Sequence, residues 1–339
     1  MQRIGIIGAG AIAEQGYLPA LERLPDVTLA AIVDVDESRA RLMARSFGAE
    51  RVATTLSEVL DDLDVAIIAT PPSSHAEIAE TCLLADIHVL TEKPVATSAA
   101  AANDLVELAA ERSLHYGISR QLREAPACRL ARTVVRNGTL GQLERVRIRY
   151  GDATDWPFAS DYRLRPDQSW GGVLTDRVPH VLDVLLWTFG NVPTIDRYRD
   201  DSIGGLEANA FLEMTFDPDI DVSMEVTSTR IIPNELHMTG TRGEFRANPH
   251  GERAHVLDYE TGETVALSLD DWDRAGVYQW RVGAQAERFI ESIRTDTITY
   301  VPARSGAEMV DIYETCYRMR ERVLRPFETV HLRDAMEAR

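Results

Sequence analysis

Short apolar runs alternate with amphipathic stretches over the first 118 residues of the chain. The stretches have helical spacing and lie near residues 11–24, 37–47, 74–85 and 98–112. Strands that alternate with helices of this length form βαβ units, and runs apolar on both faces are typical of a parallel sheet covered by helices. We therefore assign residues 1–120 to a doubly wound α/β domain. Its predicted strands are Arg3–Ile7, Val27–Val33, Val65–Ala69, His88–Leu90 and Leu114–Ile118.

The pattern changes after about residue 120. A helical stretch over 124–136 ends at Asn137-Gly138, and helices are also predicted near 172–189, 277–294 and 306–325. The segments between them alternate apolar and polar residues, as antiparallel strands do when one face is solvated or covered by a partner. We therefore predict that residues 121–339 form a second, α+β domain. Its predicted strands are Glu144–Tyr150, Ala208–Phe216, Asp221–Thr229, Glu235–Met238, Gly243–Ala247 and Thr264–Leu267.

The charge and cysteine content narrows the classes of partner. The 54 acidic and 36 basic side chains give a net charge of −18, which repels phosphate backbones and anionic lipids. We therefore expect no nucleic-acid partner. We also expect no membrane association, since no apolar run approaches the ~18 residues of a membrane span. The three cysteines are far apart and odd in number, so we expect no disulfide framework, no metal site and a cytoplasmic location.

Lysine is almost absent from the chain. Of the 36 basic residues only Lys93 is a lysine, and the others are arginines. A GC-rich genome or a salt-adapted surface would each favour arginine, and the sequence does not separate them. Arginine cannot replace lysine where chemistry needs a compact ammonium that can share or release a proton. Lys93 is therefore a candidate catalytic residue, against the alternative of an ordinary solvated charge.

A glycine-rich turn follows the first predicted strand and begins a helix. The pattern G-x-G-x-x-G/A is filled by Gly8, Gly10, Ala11, Ile12 and Ala13. The first glycine allows a tight turn, the second a close approach of a pyrophosphate, and the small third residue close packing of helix on strand. Asp34 ends the second strand, where a carboxylate binds the ribose hydroxyls and repels a 2′-phosphate. We expect an NAD site, with NADP disfavoured; capping of the next helix is the alternative for Asp34.

Two further segments follow strands at their carboxyl ends, where ligands bind to such sheets. The first contains Thr70, Pro71 and His75, and the second contains Glu92 and Lys93. Both are candidate cofactor-binding segments on the same edge of the sheet. For the first segment, the alternative is a simple strand stop and helix cap, because consecutive prolines end a strand.

The second domain supplies acid–base candidates. Asp176 and His180 are four residues apart and share one face of the predicted helix. Such pairs also occur by chance on helix surfaces, but together with Lys93 they form a chemically complete set for moving a proton. The preceding loop carries Trp156, Tyr162 and Arg163, which could stack on and hold a sugar, although packing within the loop is the alternative for each.

These motifs, in this order, resemble the glucose-fructose oxidoreductase/inositol dehydrogenase family (Gfo/Idh/MocA). The most specific parts are Glu92-Lys93-Pro94 and Asp176-x-x-x-His180, and the resemblance spans nearly the full chain. It implies a Rossmann domain followed by a domain with a large open antiparallel sheet. It also implies that the exposed face of that sheet joins subunits into homodimers or homotetramers. The chain departs from the usual family pattern at Pro72, Arg177 and Val178.

The resemblance implies an oxidoreductase that transfers a hydride between NAD(P) and a carbinol or keto carbon of a sugar, inositol or nucleotide-linked sugar. The catalytic positions of the family fall on Lys93, Asp176 and His180. His180 is the expected base, Lys93 the donor to the reacting oxygen and Asp176 the orienting group, while a lysine base remains the alternative. Two other functions stay open: a ketosugar reductase of deoxysugar biosynthesis, and a non-catalytic regulator that senses NAD.

Overall fold

The first domain is built on a parallel sheet. The computed structural model describes residues 1–152, 161–202, 206–269 and 278–323. Within these residues, six strands pair in the order β3-β2-β1-β4-β5-β6. This order, with β1 at the centre and the chain winding outward in both directions, confirms the predicted doubly wound Rossmann sheet. The strands are β1 (Gln2–Ile7), β2 (Val27–Val33), β3 (Arg51–Ala53), β4 (Val65–Ile68), β5 (His88–Thr91) and β6 (Tyr116–Ile118).

The helix after β1 is irregular. Its second turn widens into a π-helix over Ala13–Tyr17 and continues as α1 (Leu18–Leu21), so it is shorter than the predicted stretch 11–24. Pro19 has no N–H to donate to the carbonyl four residues earlier, and the Leu18 N–H donates to Ala13 O, five residues back. The other helices of this domain are α2 (Glu37–Phe47), α3 (His75–Leu84) and α4 (Ala99–Glu111).

The second domain contains a larger sheet, with the strand order β14-β13-β12-β11-β7-β10-β9-β8-β15 among the described residues. Most neighbours are antiparallel, as predicted, but β10 runs parallel to β7 and β15 runs parallel to β8, so the sheet is mixed. The strands are β7 (Leu143–Gly151), β8 (Thr194–Asp200), β9 (Asn209–Phe216), β10 (Ile220–Thr227), β11 (Glu235–Gly240), β12 (Gly243–Ala247), β13 (Arg253–Asp258), β14 (Thr264–Ser268) and β15 (Glu321–Arg322).

The two faces of this sheet differ sharply. Along β10, Val222, Met224 and Val226 are buried in one core with residues of α5 (Pro126–Arg136) and α8 (Val178–Phe189), whereas Asp221 and Ser223 are exposed. Period-two alternation of this kind places one face in the core and the other toward solvent. The exposed face carries ion pairs that cross between strands, namely Arg149–Glu225 at 3.2 Å and Arg199–Glu213 at 3.2 Å.

Two short helices, α6 (Pro166–Ser169) and α7 (Val173–Asp176), precede α8. Arg177 joins α7 to α8, and Pro179 lies in the first turn of α8, where its missing N–H removes no helical bond. The one long helix predicted over 172–189 is thus divided at Arg177. The single turn α7 ends on Asp176, and His180 lies near the start of α8.

The closing helices connect the domains. Phe289 of α9 (Tyr278–Arg294) packs in one core with residues of β1, and Val310 of α10 (Ala303–Arg318) packs in another core of the first domain. Tyr313 of α10 belongs to the core of the second domain. Both helices lie within the range 121–339 that was assigned to the second domain, yet together they contribute to the hydrophobic cores of both domains. No helix in the described parts of the chain is long and apolar enough to cross a membrane.

Candidate active site

The glycine-rich turn has the geometry that a dinucleotide requires. Gly8 has φ +102°, and a Cβ there would lie 2.8 Å from the main-chain carbon and oxygen of Ala69. At Gly10 the nearest atom to such a Cβ is Ala69 O at 3.8 Å, so the main chain is open to a ligand. Ala13 is fully buried in the core below the turn. Free space above the turn and tight packing below it fit a pyrophosphate at this helix start.

Asp34 lies directly beside this turn. Its Oδ2 accepts the Ala9 N–H at 2.7 Å, and its Oδ1 accepts the Asp36 N–H at 2.8 Å. The cap of α2 is instead Asp36, which accepts from the Ser38 and Arg39 amides. Arg39, which the sequence reasoning missed, donates from Nε to Ala9 O at 3.0 Å and brings a positive charge to the same corner. The signal for it was a basic residue in the first turn of the helix after Asp34.

His75 is enclosed by main chain. The ring is 1 % exposed, with Nδ1 2.6 Å from Pro94 O and Nε2 2.8 Å from Thr70 O. Burial lowers the pKa of this imidazole below its usual value, more strongly than the two carbonyls raise it. His75 therefore ties the segment after β4, which contains Thr70 and Pro71, to the segment after β5, which contains Lys93.

Glu92 connects the lysine segment to the irregular helix. Its Oε1 accepts the Tyr17 hydroxyl at 2.7 Å, and its Oε2 is 3.3 Å from the Lys93 main-chain N–H, which donates to it. Tyr17 is fully buried, at the end of the π-helical turn. The carboxylate therefore has fixed partners on both sides, and it links the irregular helix after the glycine-rich turn to the loop that contains Lys93.

The lone lysine reaches across the domain boundary. Lys93 Nζ donates to the main-chain oxygen of Asp176 at 2.8 Å and to its Oδ1 at 2.7 Å, and the lysine side chain is only 13 % exposed. Arg163 donates to the other carboxylate oxygen, Oδ2, at 2.6 Å. Burial raises the pKa of Asp176, but the two cations outweigh it and hold that pKa well below its usual range.

His180 faces the same group of charges. Burial is the largest cause that lowers its pKa well below 6.5, and the positive charges of Lys93 and Arg120 act in the same direction. Asp176 opposes them by raising the pKa, but less strongly. The imidazole is therefore neutral at physiological pH, the form that can accept a proton.

The structure describes two of the three candidate substrate-binding residues, Tyr162 and Arg163. Tyr162 and Arg163 lie on a single 3₁₀ turn, with the guanidinium 5.7 Å from the ring centroid of Tyr162. Arg163 forms an ion pair with the Asp176 carboxylate, so it contacts one of the candidate catalytic residues. Trp156 lies outside the described residues.

Two polar groups near the start of α8 had no role predicted from the sequence: Asp183, which is buried, and His250, which is half-buried. Asp183, 1 % exposed, receives two bonds from Arg123 at 2.7 and 2.8 Å and lies 3.2 Å from Arg120 Nε. His250 lies 2.9 Å from the Tyr150 hydroxyl, and burial lowers the pKa of His250 to about 4. Arg120 and Arg123, the partners of Asp183, lie two and five residues after the end of β6, at the ligand-binding edge of the sheet. That position was the sequence signal for this buried charge pair. Among the described residues, no group of three or more metal-ligating side chains could hold a metal ion.

Known proteins resemble the chain in both sequence and fold. The levoglucosan dehydrogenase of Pseudarthrobacter phenanthrenivorans is 26 % identical over 72 % of this chain and 69 % of its own length. The dTDP-3,4-didehydro-2,6-dideoxy-alpha-D-glucose 3-reductase of Streptomyces antibioticus is 32 % identical over 51 % of this chain, and the match spans about half (52 %) of that relative. The 3-ketoreductase KijD10 of Actinomadura kijaniata, solved with NADP and TDP-benzene, shares the fold. Its TM-score is 0.81, at 20 % identity, over 96 % of this chain and 99 % of that one.

Two family models match the chain in succession. Residues 2–119 match the GFO/IDH/MocA oxidoreductase family with an NAD-binding Rossmann fold, and residues 128–246 match the GFO/IDH/MocA C-terminal domain. The two matches together cover well over half of the chain and agree with the two sheets described above. The chain therefore belongs to the GFO/IDH/MocA family of oxidoreductases.

Proposed function

We propose that this protein is an NAD-dependent dehydrogenase that acts on one carbinol carbon of a sugar, an inositol or a nucleotide-linked sugar, in either direction. The observation that carries the proposal is the contact of Lys93 with Asp176 beside a neutral His180. A proton donor, a carboxylate and a proton acceptor from two domains converge on the edge of the sheet where the dinucleotide turn lies.

Each residue has a distinct task in this proposal. A bound nicotinamide supplies the hydride acceptor or donor. His180, kept neutral by burial and by Lys93, takes the proton of the substrate hydroxyl. Lys93 donates a hydrogen bond to the same oxygen and stabilises the negative charge that develops there. Asp176 fixes the lysine ammonium through two contacts and orients the substrate. A lysine base is the alternative, and the lowered pKa of His180 favours histidine.

The cofactor site is proposed to consist of the glycine turn Gly8–Ala13, Asp34 and the segments that contain Thr70, Pro71, His75 and Glu92. NAD is preferred because the Asp34 carboxylate, fixed against the turn by two main-chain amides, repels a 2′-phosphate. Arg39 acts against this preference, since a guanidinium near the ribose attracts such a phosphate. The fixed position of the carboxylate supports Asp34 as the stronger influence.

Two alternatives are distinguished by particular observations. A ketosugar reductase of deoxysugar biosynthesis is supported by the similarity to the Streptomyces antibioticus reductase, and it would reduce a nucleotide-linked ketosugar. A regulator that only senses NAD would need no proton acceptor, so the Lys93, Asp176 and His180 arrangement argues against it. We further propose a cytoplasmic location and a homodimer or homotetramer joined through the exposed face of the second sheet.

The test is a panel of sugars, inositols and nucleotide-linked sugars and their ketones, assayed by absorbance of reduced nicotinamide with NAD and with NADP. Turnover of a free sugar or polyol with NAD supports the dehydrogenase. Turnover restricted to a nucleotide-linked ketosugar supports the reductase. Tight NAD binding without turnover of any member would favour the sensor.

A further inference from the structure

A buried carboxylate holds the start of the segment that carries Asp176. Glu207, two residues before the start of β9, is 3 % exposed. Its Oε1 accepts the N–H groups of Gly172 at 2.9 Å and Leu174 at 3.0 Å, and its main-chain oxygen accepts the Val173 N–H at 3.0 Å. The first N–H groups of a helix have no partner within it. One residue thus satisfies three successive amides at the start of α7.

The surrounding chain is shaped for this contact. A Cβ on Gly172 would lie 1.9 Å from Glu207 O, and a Cβ on Gly171 would lie 2.2 Å from the Tyr317 hydroxyl oxygen. That hydroxyl donates to the same Oε1 at 3.0 Å. Consecutive glycines are therefore required here, because only a chain without side chains can approach Glu207 and Tyr317 so closely. The start of α7 is fixed against both the second sheet and α10.

The anchor is close to the lysine contact. Asp176 is two residues beyond Leu174, and its N–H donates to Gly172 O at 3.0 Å. Lys93 binds the main-chain oxygen of Asp176 as well as its carboxylate, so the position of the lysine ammonium depends on the backbone at residue 176. A shift at the start of this single turn would therefore move both atoms that hold Lys93.

Burying a carboxylate is costly unless hydrogen bonds compensate it. The cation nearest to Glu207 among the described residues, Arg320, lies 3.7 Å from Oε2 and also pairs with Asp200 at 2.7 Å. All three donors converge on Oε1, an oxygen that a glutamine side chain would retain. These hydrogen bonds therefore depend on the Oε1 acceptor and on the length of the side chain that places it, rather than on the negative charge.

We propose that Glu207 is a positioning residue, which fixes the start of α7 and so holds Asp176 against Lys93. Its effect on turnover rests on the proposed function. Its effect on the contact between Lys93 and Asp176 is a property of the fold and is measurable without substrate.

The test uses the single lysine of the chain. Trinitrobenzenesulfonate modifies Lys93 and the amino terminus alone, and mass spectrometry follows each site separately. At a temperature well below unfolding, Glu207→Ala should raise the modification rate of Lys93 at least about fivefold and leave that of the amino terminus unchanged. It should also lower kcat at least about tenfold while the Kd of NAD stays the same, because small displacements of a catalytic group are costly.

Matched variants separate positioning from general support of the fold. In Glu207→Gln, both the Lys93 modification rate and kcat should lie within about threefold of the wild-type values. The same is expected of Tyr317→Phe, which leaves both amide contacts in place. If Glu207→Ala does not fold, Glu207→Asp keeps the charge but shortens the reach, and the same increase in Lys93 modification is expected.

Wild-type Lys93 reactivity in the folded alanine or aspartate variant would overturn the proposal, as would a failure of glutamine to restore it. Absence of turnover on every substrate, with the expected change in Lys93 reactivity, would count against the proposed function and leave the positioning of Asp176 intact.

Discussion

Lys93 and Asp176, 83 residues apart, meet through two hydrogen bonds from one ammonium group. Lys93 Nζ donates to the main-chain oxygen of Asp176 at 2.8 Å and to its carboxylate at 2.7 Å. The lysine follows β5 of the first domain, and the aspartate ends α7 of the second. A compact ammonium can serve two acceptors at this separation, whereas a planar guanidinium presents its donors in a fixed fork.

Lys93→Arg should abolish most turnover. Removing one preorganised donor of this kind typically costs ~2.7–4 kcal/mol, or about a hundred- to thousandfold in kcat. NAD should still bind to this variant, because the glycine turn and Asp34 are unchanged. In the wild-type protein, bound cofactor and substrate should protect Lys93 from amine-directed reagents. Steady-state kinetics and NAD titration measure both effects. Near-normal turnover of this variant would remove the central residue of the proposal.

The pH profile should report a neutral His180. Its pKa is lowered by burial and by Lys93, so the base-competent form is present at neutral pH and is lost only as the pH falls through a value below 6.5. We expect kcat/KM for substrate oxidation to stay level from pH 8 down past 6.5 and then to decrease. Assays returned to pH 7.5 after each exposure control for acid inactivation. An acid limb centred above pH 6.5 would contradict this assignment.

Arg163→Gln should impair turnover through Asp176. The substitution removes a charged hydrogen bond to Oδ2, a loss of roughly 1.5 kcal/mol, or about tenfold in kcat. Arg165→Gln is the matched control, because Arg165 is two residues away and pairs with Asp161 on the surface. Exposed pairs contribute at most about 1 kcal/mol to stability, so this control should keep normal kinetics. Equal kinetics for the two variants would refute the link between Arg163 and Asp176.

The cofactor preference should depend on Asp34. We expect NAD to bind at least a few-fold more tightly than NADP, and Asp34→Ser to narrow the difference because the repulsion of a 2′-phosphate is removed. Asp36→Ser is the control, since Asp36 caps α2 and is exposed. Fluorescence titration with both cofactors gives the ratio of Kd values. Equal or tighter binding of NADP by the unmodified protein would overturn the preference.

The exposed face of the second sheet should carry the subunit contact. We expect light scattering at micromolar concentration to give the mass of a dimer or tetramer. Ser223→Arg, at the exposed centre of β10, should shift the distribution toward monomer by adding charge and bulk. Ser57→Arg, on an exposed 3₁₀ turn of the first domain, should leave it unchanged. A monomeric unmodified protein would contradict the proposed assembly.

Several elements escaped prediction for identifiable reasons. β3 is only three residues long, too short for a periodic pattern. β8 (Thr194–Asp200) is largely polar, with four of its seven residues arginine or aspartate, because it lies near the edge of the sheet and pairs on one side with the two-residue β15. The π-helical turn before α1 reflects Pro19, whose effect on hydrogen bonding no hydrophobic pattern records.

The sequence alone predicted a doubly wound parallel sheet in the first domain, the division into two sheets, the family and the segments that carry Lys93, Asp176 and His180. These follow from local patterns: apolar runs, a glycine turn and spacing along a helix. Only the tertiary structure decided that Lys93 reaches Asp176, that Arg163 shares the same carboxylate and that Glu207 fixes the start of α7. Each of these contacts joins residues that are distant in sequence or lie on separate elements. Packing between the elements, rather than any local preference, determines such contacts.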